Sequence, residues 1–179
     1  VDRSLTALRI IPPTEFNKRT RFANLNRPLP WLTNSVDAIY LGEVLEHFTR
    51  SEGEQLLAEC FRILKPSSIL RIRVPDNARF WRNYLTDFDA CYSLPRSQWT
   101  DKHSIWIERF FRDIAVRRKL LASFGHYHKW MYDEISLILL LEKLGFTDVE
   151  RHHLHDSRIE GIAAVEVRED LIVEGIKPS

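Results

Sequence analysis

The stretch NSVDAIYLGEVLEHF, Asn34 to Phe48, decides how the rest of the chain reads. Asp37 to Gly42 is an apolar run closed by a glycine, the pattern of a buried strand that ends in a tight turn. Glu43, Glu46 and His47 follow it, so the carboxyl end of this strand is polar. In open α/β sheets that end is where ligands sit. Gly42 permits close backbone approach or a positive φ; its plainer reading is a tight turn with no ligand. Glu46 and His47 can form a carboxylate-oriented base, because imidazole titrates near neutrality. Taken alone, the pair reads better as a solvated helix start.

Downstream, SEGEQLLAECFRILKP carries Leu56, Leu57, Cys60, Phe61 and Leu64 at helical spacing. Ser51 and Glu54 fit a capping box at its start, and Pro66 stops it. Ile69 to Pro75, ILRIRVP, alternates apolar and basic residues, which predicts a strand. Asn77 to Phe88 places Trp81, Tyr84 and Phe88 on one helical stripe, and Asp101 to Ser123 reads as a further helix. Tyr132 to Gly145 is a helix with Asp133 as its cap and Gly145 at its left-handed terminus. Thr147 to Leu154 and Leu171 to Ile176 close the chain as strands without a helix between them, which predicts an antiparallel return. Upstream, Ser4 to Ile11 reads as a short helix and Arg19 to Leu25 as a short strand. Strands alternating with helices make this an α/β layered domain, 1–179, with 77–129 too long for a crossover and read as a helical cap insertion. Asp76, which follows ILRIRVP, joins the residues at strand ends that can carry chemistry.

The 179 residues suit one domain. A formal net charge of +1 gives no general attraction to nucleic acid or an anionic membrane. The most apolar run, Ile135 to Leu144, is too short to span a bilayer. Cys60 and Cys91 form no C-x-x-C pair, so a reducing cytoplasmic setting is the expectation. The basic run that contains Arg109, Arg112, Arg117, Arg118 and Lys119 is interleaved with Glu108 and Asp113 and reads as solvated helix charge. Histidines cluster at His126 and His128 and again at His152, His153 and His155. In a continuing strand His153 and His155 would share a face. Neither cluster has zinc-ligand spacing, and no metal is assigned from the sequence.

RPLPWLTNSVDAIYLGEVLEHF, LLAECFRILKPSSILRIRVPD and HKWMYDEISLILLLEKLGFTDVE together resemble class I S-adenosylmethionine-dependent methyltransferases. The likeness is to small bacterial members with an LPF-x-x-NS-x-D-x-Y, EH, LKPGG, VPD and H-x-W-M-Y series. It runs from about Asp2 to the C-terminus and fades between Ala90 and Gly125. The resemblance implies a Rossmann-like seven-stranded sheet with an antiparallel last strand. It implies S-adenosylmethionine as cofactor, S-adenosylhomocysteine as product, and a small-molecule or saccharide-type hydroxyl or amine as acceptor. It matches Asp2 to the acid that holds the cofactor ribose and Asn24 to the adenine side. Leu41, Gly42 and Glu43 would face the cofactor. His47 would lie on the substrate side and, with His126, is a candidate base. His128, Trp130 and Tyr132 are candidate acceptor contacts.

Two departures from the family pattern stand out. Ser67-Ser68 replaces the usual Gly-Gly turn. The Gly-rich loop after the family's first strand has no counterpart in the sequence, which would begin after it. We expect that segment, and the first strand, to lie upstream of Val1. Without it cofactor binding would weaken, and the gap in the sheet would favour a homodimer. The missing loop also supports a rival, a non-catalytic methyltransferase-like binding module. A third reading, a phosphate or nucleic-acid binder using the basic run, would show steep salt dependence.

Overall fold

The computed structural model describes residues 23–115 and 128–179. The expected helix at 4–11 lies outside them, and so does most of the expected strand at 19–25; its described part, 23–25, is not strand. Four strands are described: β1 (Val36–Gly42), β2 (Leu64–Val74), β3 (Thr147–His152) and β4 (Leu171–Ile176). They form one sheet in the order β1-β2-β4-β3. β1 and β2 run parallel, and β4 is antiparallel to both β2 and β3. The α/β class and the antiparallel last strand are therefore as expected. The helices are α1 (Arg50–Ile63), α2 (Asn77–Tyr92), α3 (Ser104–Ala115) and α4 (Glu134–Lys143). Among the described residues no helix is long and apolar enough to cross a membrane.

The cap of α1 lies two residues before the predicted one. Thr49, not Ser51, accepts from the Glu52 amide, and Glu52 accepts from the Thr49 amide at 2.8 Å. The S/T-x-x-E pattern occurs twice, at 49–52 and 51–54. Use of the first copy lengthens the helix and leaves Glu54 to pair with Lys143 of α4. The inner face of α1 carries Leu56, Leu57, Cys60 and Ile63 into a core shared with Leu70 and Ile72 of β2, Leu171 and Val173 of β4, and Leu137 and Leu141 of α4. Burial pushes the Cys60 thiol up to about 12, so it is an inert core group. At the end of α1 the Lys177 ammonium donates to the carbonyls of Phe61 at 2.7 Å and Leu64 at 2.9 Å. It thereby satisfies oxygens that a helix terminus leaves orphaned.

β2 is longer than predicted. β1 advances from Val36 to Ala38 while β2 advances from Leu64 to Ile69, so Lys65 to Ser68 loop out of the ladder. Ser67 sits at the tip with φ +62, the conformation for which glycine is the unstrained residue. The alternation in ILRIRVP predicted a strand correctly, but its basic face is not in water. Arg71 is fully buried, as are the side chains of Glu166 and Glu174. Its five N–H groups are all used: Nε and Nη2 on Glu166 at 3.0 and 2.6 Å, Nη1 on Glu174 at 2.9 Å and on the Asp156 carbonyl, and Nη2 on the His153 carbonyl. Arg71 and Glu174 are also register partners across β2 and β4.

α2 buries no residue fully. Its stripe Trp81, Tyr84, Phe88 and Tyr92 runs ring to ring at 6.0–6.2 Å. Phe80 meets Trp106 and Phe110 of α3 at 5.7 Å. α4 is capped by Asp133 as expected, and Gly145 takes φ +98. β3 stops at His152, and His155 turns with φ +63, so His153 and His155 do not share a strand face.

Two outcomes are expected. Ser67→Gly relieves the left-handed strain and stabilises the fold by about 1 kcal/mol, read as a melting-temperature rise of about 2–4 °C. For Glu166, burial alone would raise the carboxyl pKa, but hydrogen bonds from Arg71 and the His155 amide, with the Arg71 charge, together hold it below the usual 4.5. Its contribution is therefore complete above pH 4.5 and is lost as pH falls through its lower folded value. In denaturant titrations Glu166→Gln lowers stability near neutral pH and flattens the acid limb; an unchanged acid limb would contradict this account.

Candidate functional site

Because β1 and β2 are parallel, their carboxyl ends emerge side by side, with the start of antiparallel β4 beside them. The turn after β1 places its positive φ on Glu43 (+55), not on Gly42. Gly42 matters for another reason: a Cβ there would stand 2.6 Å from the Tyr40 hydroxyl, so the close neighbour is this chain's own phenol. Arg73 fixes that phenol, donating from Nε at 3.0 Å. Arg73 Nη1 also donates to Asp170 at 3.1 Å and lies 3.5 Å from Glu43. Arg168 pairs with both Glu43 and Asp170. These five side chains make a charge lattice across the tips of β1, β2 and β4.

A second set of groups lies beside it. A single 3-10 turn, Leu45–His47, follows β1. Glu46 is 1% exposed, which overturns its reading as a solvated residue. Burial pushes its carboxyl up to about 7. The Glu46 carbonyl accepts from the amides of Lys129 at 2.8 Å and Trp130 at 3.3 Å. These bonds fasten the 128–132 segment to the turn and bring the His128 ring to 5.3 Å from that of His47. Donor atoms of Glu46, His47 and His128 all lie within 4.8 Å of one another.

Next to them is a cavity of about 420 Å³ lined by Asp76, Arg79, Trp106, Arg109, His128 and Arg168, among others. Both signs of charge and an indole meet there, with Arg109 stacked 5.1 Å over Trp106. Asp76 closes one side: it caps α2 through the Arg79 amide at 3.0 Å and lies 3.3 Å from Arg151. Trp130 is partly exposed beneath the Arg50 guanidinium and lines a neighbouring cavity.

The other predicted residues are dispersed. Asp2 and His126 lie outside the described residues, as do the side chains of Arg112, Arg117, Arg118 and Lys119. Asn24 is exposed and accepts from the Asn26 amide at 3.0 Å, within its own turn. Leu41 joins the core and lines an apolar cavity of about 290 Å³ with Leu25, Trp31 and Ile39. Tyr132, expected at the acceptor, is instead 2% exposed, because Gly53 of α1 leaves room for it: a Cβ at Gly53 would stand 2.7 Å from its hydroxyl. His152, His153 and His155 each face a different acceptor, Asp156, Glu169 and the Glu166 carbonyl. Arg73, Arg168 and Asp170 were not foreseen. Arg73 was visible only as one of two basic residues in a strand, and nothing in the sequence marked the other two.

Residues 6–72 match the model of a family described as a methyltransferase domain. No match was found among curated proteins. Among solved structures, a SAM-dependent methyltransferase from Methanosarcina mazei aligns over 97% of this chain and 74% of its own, at 17% identity and a TM-score of 0.51. The apo form of the S-adenosylmethionine-dependent methyltransferase SibL aligns over 90% of this chain and 36% of its own, at 15% identity and a TM-score of 0.50. A SAM-dependent methyltransferase from Archaeoglobus fulgidus aligns over 82% of this chain at 16% identity and a TM-score of 0.44; the chain spans 62% of its length. At these identities the likeness is one of fold. The two alignments at TM-scores of 0.50 and 0.51, with the family match over 6–72, agree with the resemblance read from the sequence.

Gly42→Ala should displace the Tyr40 phenol and break its bond to Arg73. We expect a loss of about 1–3 kcal/mol in thermal or denaturant unfolding. A variant as stable as the parent would show that the phenol yields freely.

Proposed function

We propose that this chain, whose fold is that of the class I S-adenosylmethionine-dependent methyltransferases, transfers a methyl group to a hydroxyl or amine of a small or saccharide-type acceptor. The observation that carries the reading is the family match over 6–72, on a sheet whose parallel strand tips meet beside a polar cavity. Bound at those tips, S-adenosylmethionine supplies a methyl group already activated on a sulfonium sulfur. The protein's task is then placement and exclusion of water.

The described residues fit one wall of such a site. Leu41, near the carboxyl end of β1, would face the adenosyl part of the cofactor. Gly42 presents backbone, although the Tyr40 phenol fills the space above it, and Glu43 is held at the tip by Arg168 and Arg73. Asn24 would add an amide on the adenine side. Asp2 would accept both ribose hydroxyls. On the acceptor side, His47 or His126 would hold the proton that an acceptor hydroxyl gives up, and His128 and Trp130 would contact the acceptor. Action in the bacterial cytoplasm on a small molecule belongs to the same reading; Cys60 and Cys91 are both free thiols.

Titration calorimetry with S-adenosylhomocysteine tests the reading. Binding is expected, and Asp2→Ala should weaken it about 10-fold or more, because hydrogen bonds to a charged acceptor contribute about 1.5–3 kcal/mol. Absence of binding by the full chain would support the rival, a methyltransferase-like module without cofactor.

A further inference from the structure

Glu46, His47 and His128 offer a carboxylate oxygen and two imidazole nitrogens within 4.8 Å of one another, although His128 lies far along the sequence from the other two. We propose that these three side chains form a site for one divalent transition-metal ion, open on the side of the cavity that His128 lines.

Three features support it. The first is distance. Donors bound tetrahedrally to a zinc-like ion at about 2.1 Å are about 3.4 Å apart. Closing from within 4.8 Å needs at most about 1.4 Å of approach between donors, a change that side-chain torsions can supply without moving the backbone. The second is the carboxylate. Glu46 is almost fully buried, and its Oε2 has no hydrogen-bond partner among the described residues. A buried carboxylate oxygen without a partner costs free energy that a bound cation would offset. The third is rigidity. The Glu46 carbonyl is clamped by the Lys129 and Trp130 amides, so the backbone next to His128 is tied to the turn that carries the other two ligands. A site assembled before the ion arrives loses less ordering entropy on binding.

The donor set selects the ion. Two imidazoles with one carboxylate suit zinc, cobalt, iron or manganese, whereas calcium and magnesium prefer oxygen shells. Three protein ligands leave coordination positions open, as in sites that engage a substrate and unlike closed structural sites. Those positions face a cavity whose rim carries both signs of charge, Arg79, Arg109 and Arg168 beside Asp76, Glu169 and Asp170. An acceptor there would coordinate through an oxygen or nitrogen atom; this last point rests on the methyl-transfer reading, while metal binding does not.

The full chain, stripped with chelator, is titrated with Co²⁺ alone. The visible absorption of coordinated cobalt and the metal content after dialysis are followed. We expect one ion per chain. Removal of hydrogen-bond partners that merely orient metal ligands already costs about 10–100-fold in affinity, so His128→Ala and His47→Ala should each weaken binding at least about 10-fold. His153→Ala, which alters an exposed imidazole paired with Glu169, should leave it unchanged. His128 lies outside the helices and strands, so its variant is expected to melt like the parent in the absence of metal. Absence of one-to-one binding by the parent chain overturns the proposal, and so does binding that survives both ligand substitutions. Cobalt binding without S-adenosylhomocysteine binding would uphold the metal site and remove the methyl-transfer reading; the opposite result would do the reverse.

Discussion

The guanidinium of Arg71 is the constraint on which this sheet depends. It lies in the middle of β2, a strand buried on both faces, where an unpaired cation would cost several kcal/mol. The chain therefore brings two carboxylates to it, Glu174 from the neighbouring strand and Glu166 from the long segment between β3 and β4. The second is the more consequential. Residues 153–170 contain no strand, yet they are fastened across the sheet through Glu166 and through the His153 and Asp156 carbonyls. That fastening delivers Arg168 and Asp170 to the strand tips.

The same economy governs the polar end of the sheet. Arg73, two residues along β2, faces the same side as Arg71 but lies nearer the tip. It is shared among Tyr40, Asp170 and Glu43, so the turn after β1 is held by charge as well as by backbone. Glu43 can then adopt a left-handed conformation that a side chain seldom takes, since the surrounding ion pairs determine it. A structural lattice and the proposed cofactor wall thus share residues. Substitution at Glu43 would alter both the order of the tip and whatever binds there.

Glu46 links the fold to the chemistry. Its carbonyl holds the 128–132 segment, and its carboxylate stands with two imidazoles beside a polar cavity. A proton-transfer role for His47 and a metal role for the trio are competing uses of the same imidazole, since a coordinated nitrogen is not available as a base. The two are separable because a metal can activate an acceptor hydroxyl directly and so take over the task of the base.

Local patterns were enough to locate β1, α1, β2, α2, α4 and β4 to within a few residues, because hydrophobic period, caps and proline stops act over a few neighbours. Sequence also marked Glu46, His47 and His128 as separate candidates and, through family likeness, the class of fold. Only the tertiary structure decided which α1 cap is used, that Tyr132 is core, that the basic face of β2 is buried, and that Glu46 and His47 meet His128. Each of these depends on what is packed opposite: Gly53 across from Tyr132, Glu166 across from Arg71, the Lys129 and Trp130 amides on the Glu46 carbonyl. Contacts between residues so far apart in the chain leave no periodic trace in it, because the free energy that selects them exists only once the elements are assembled.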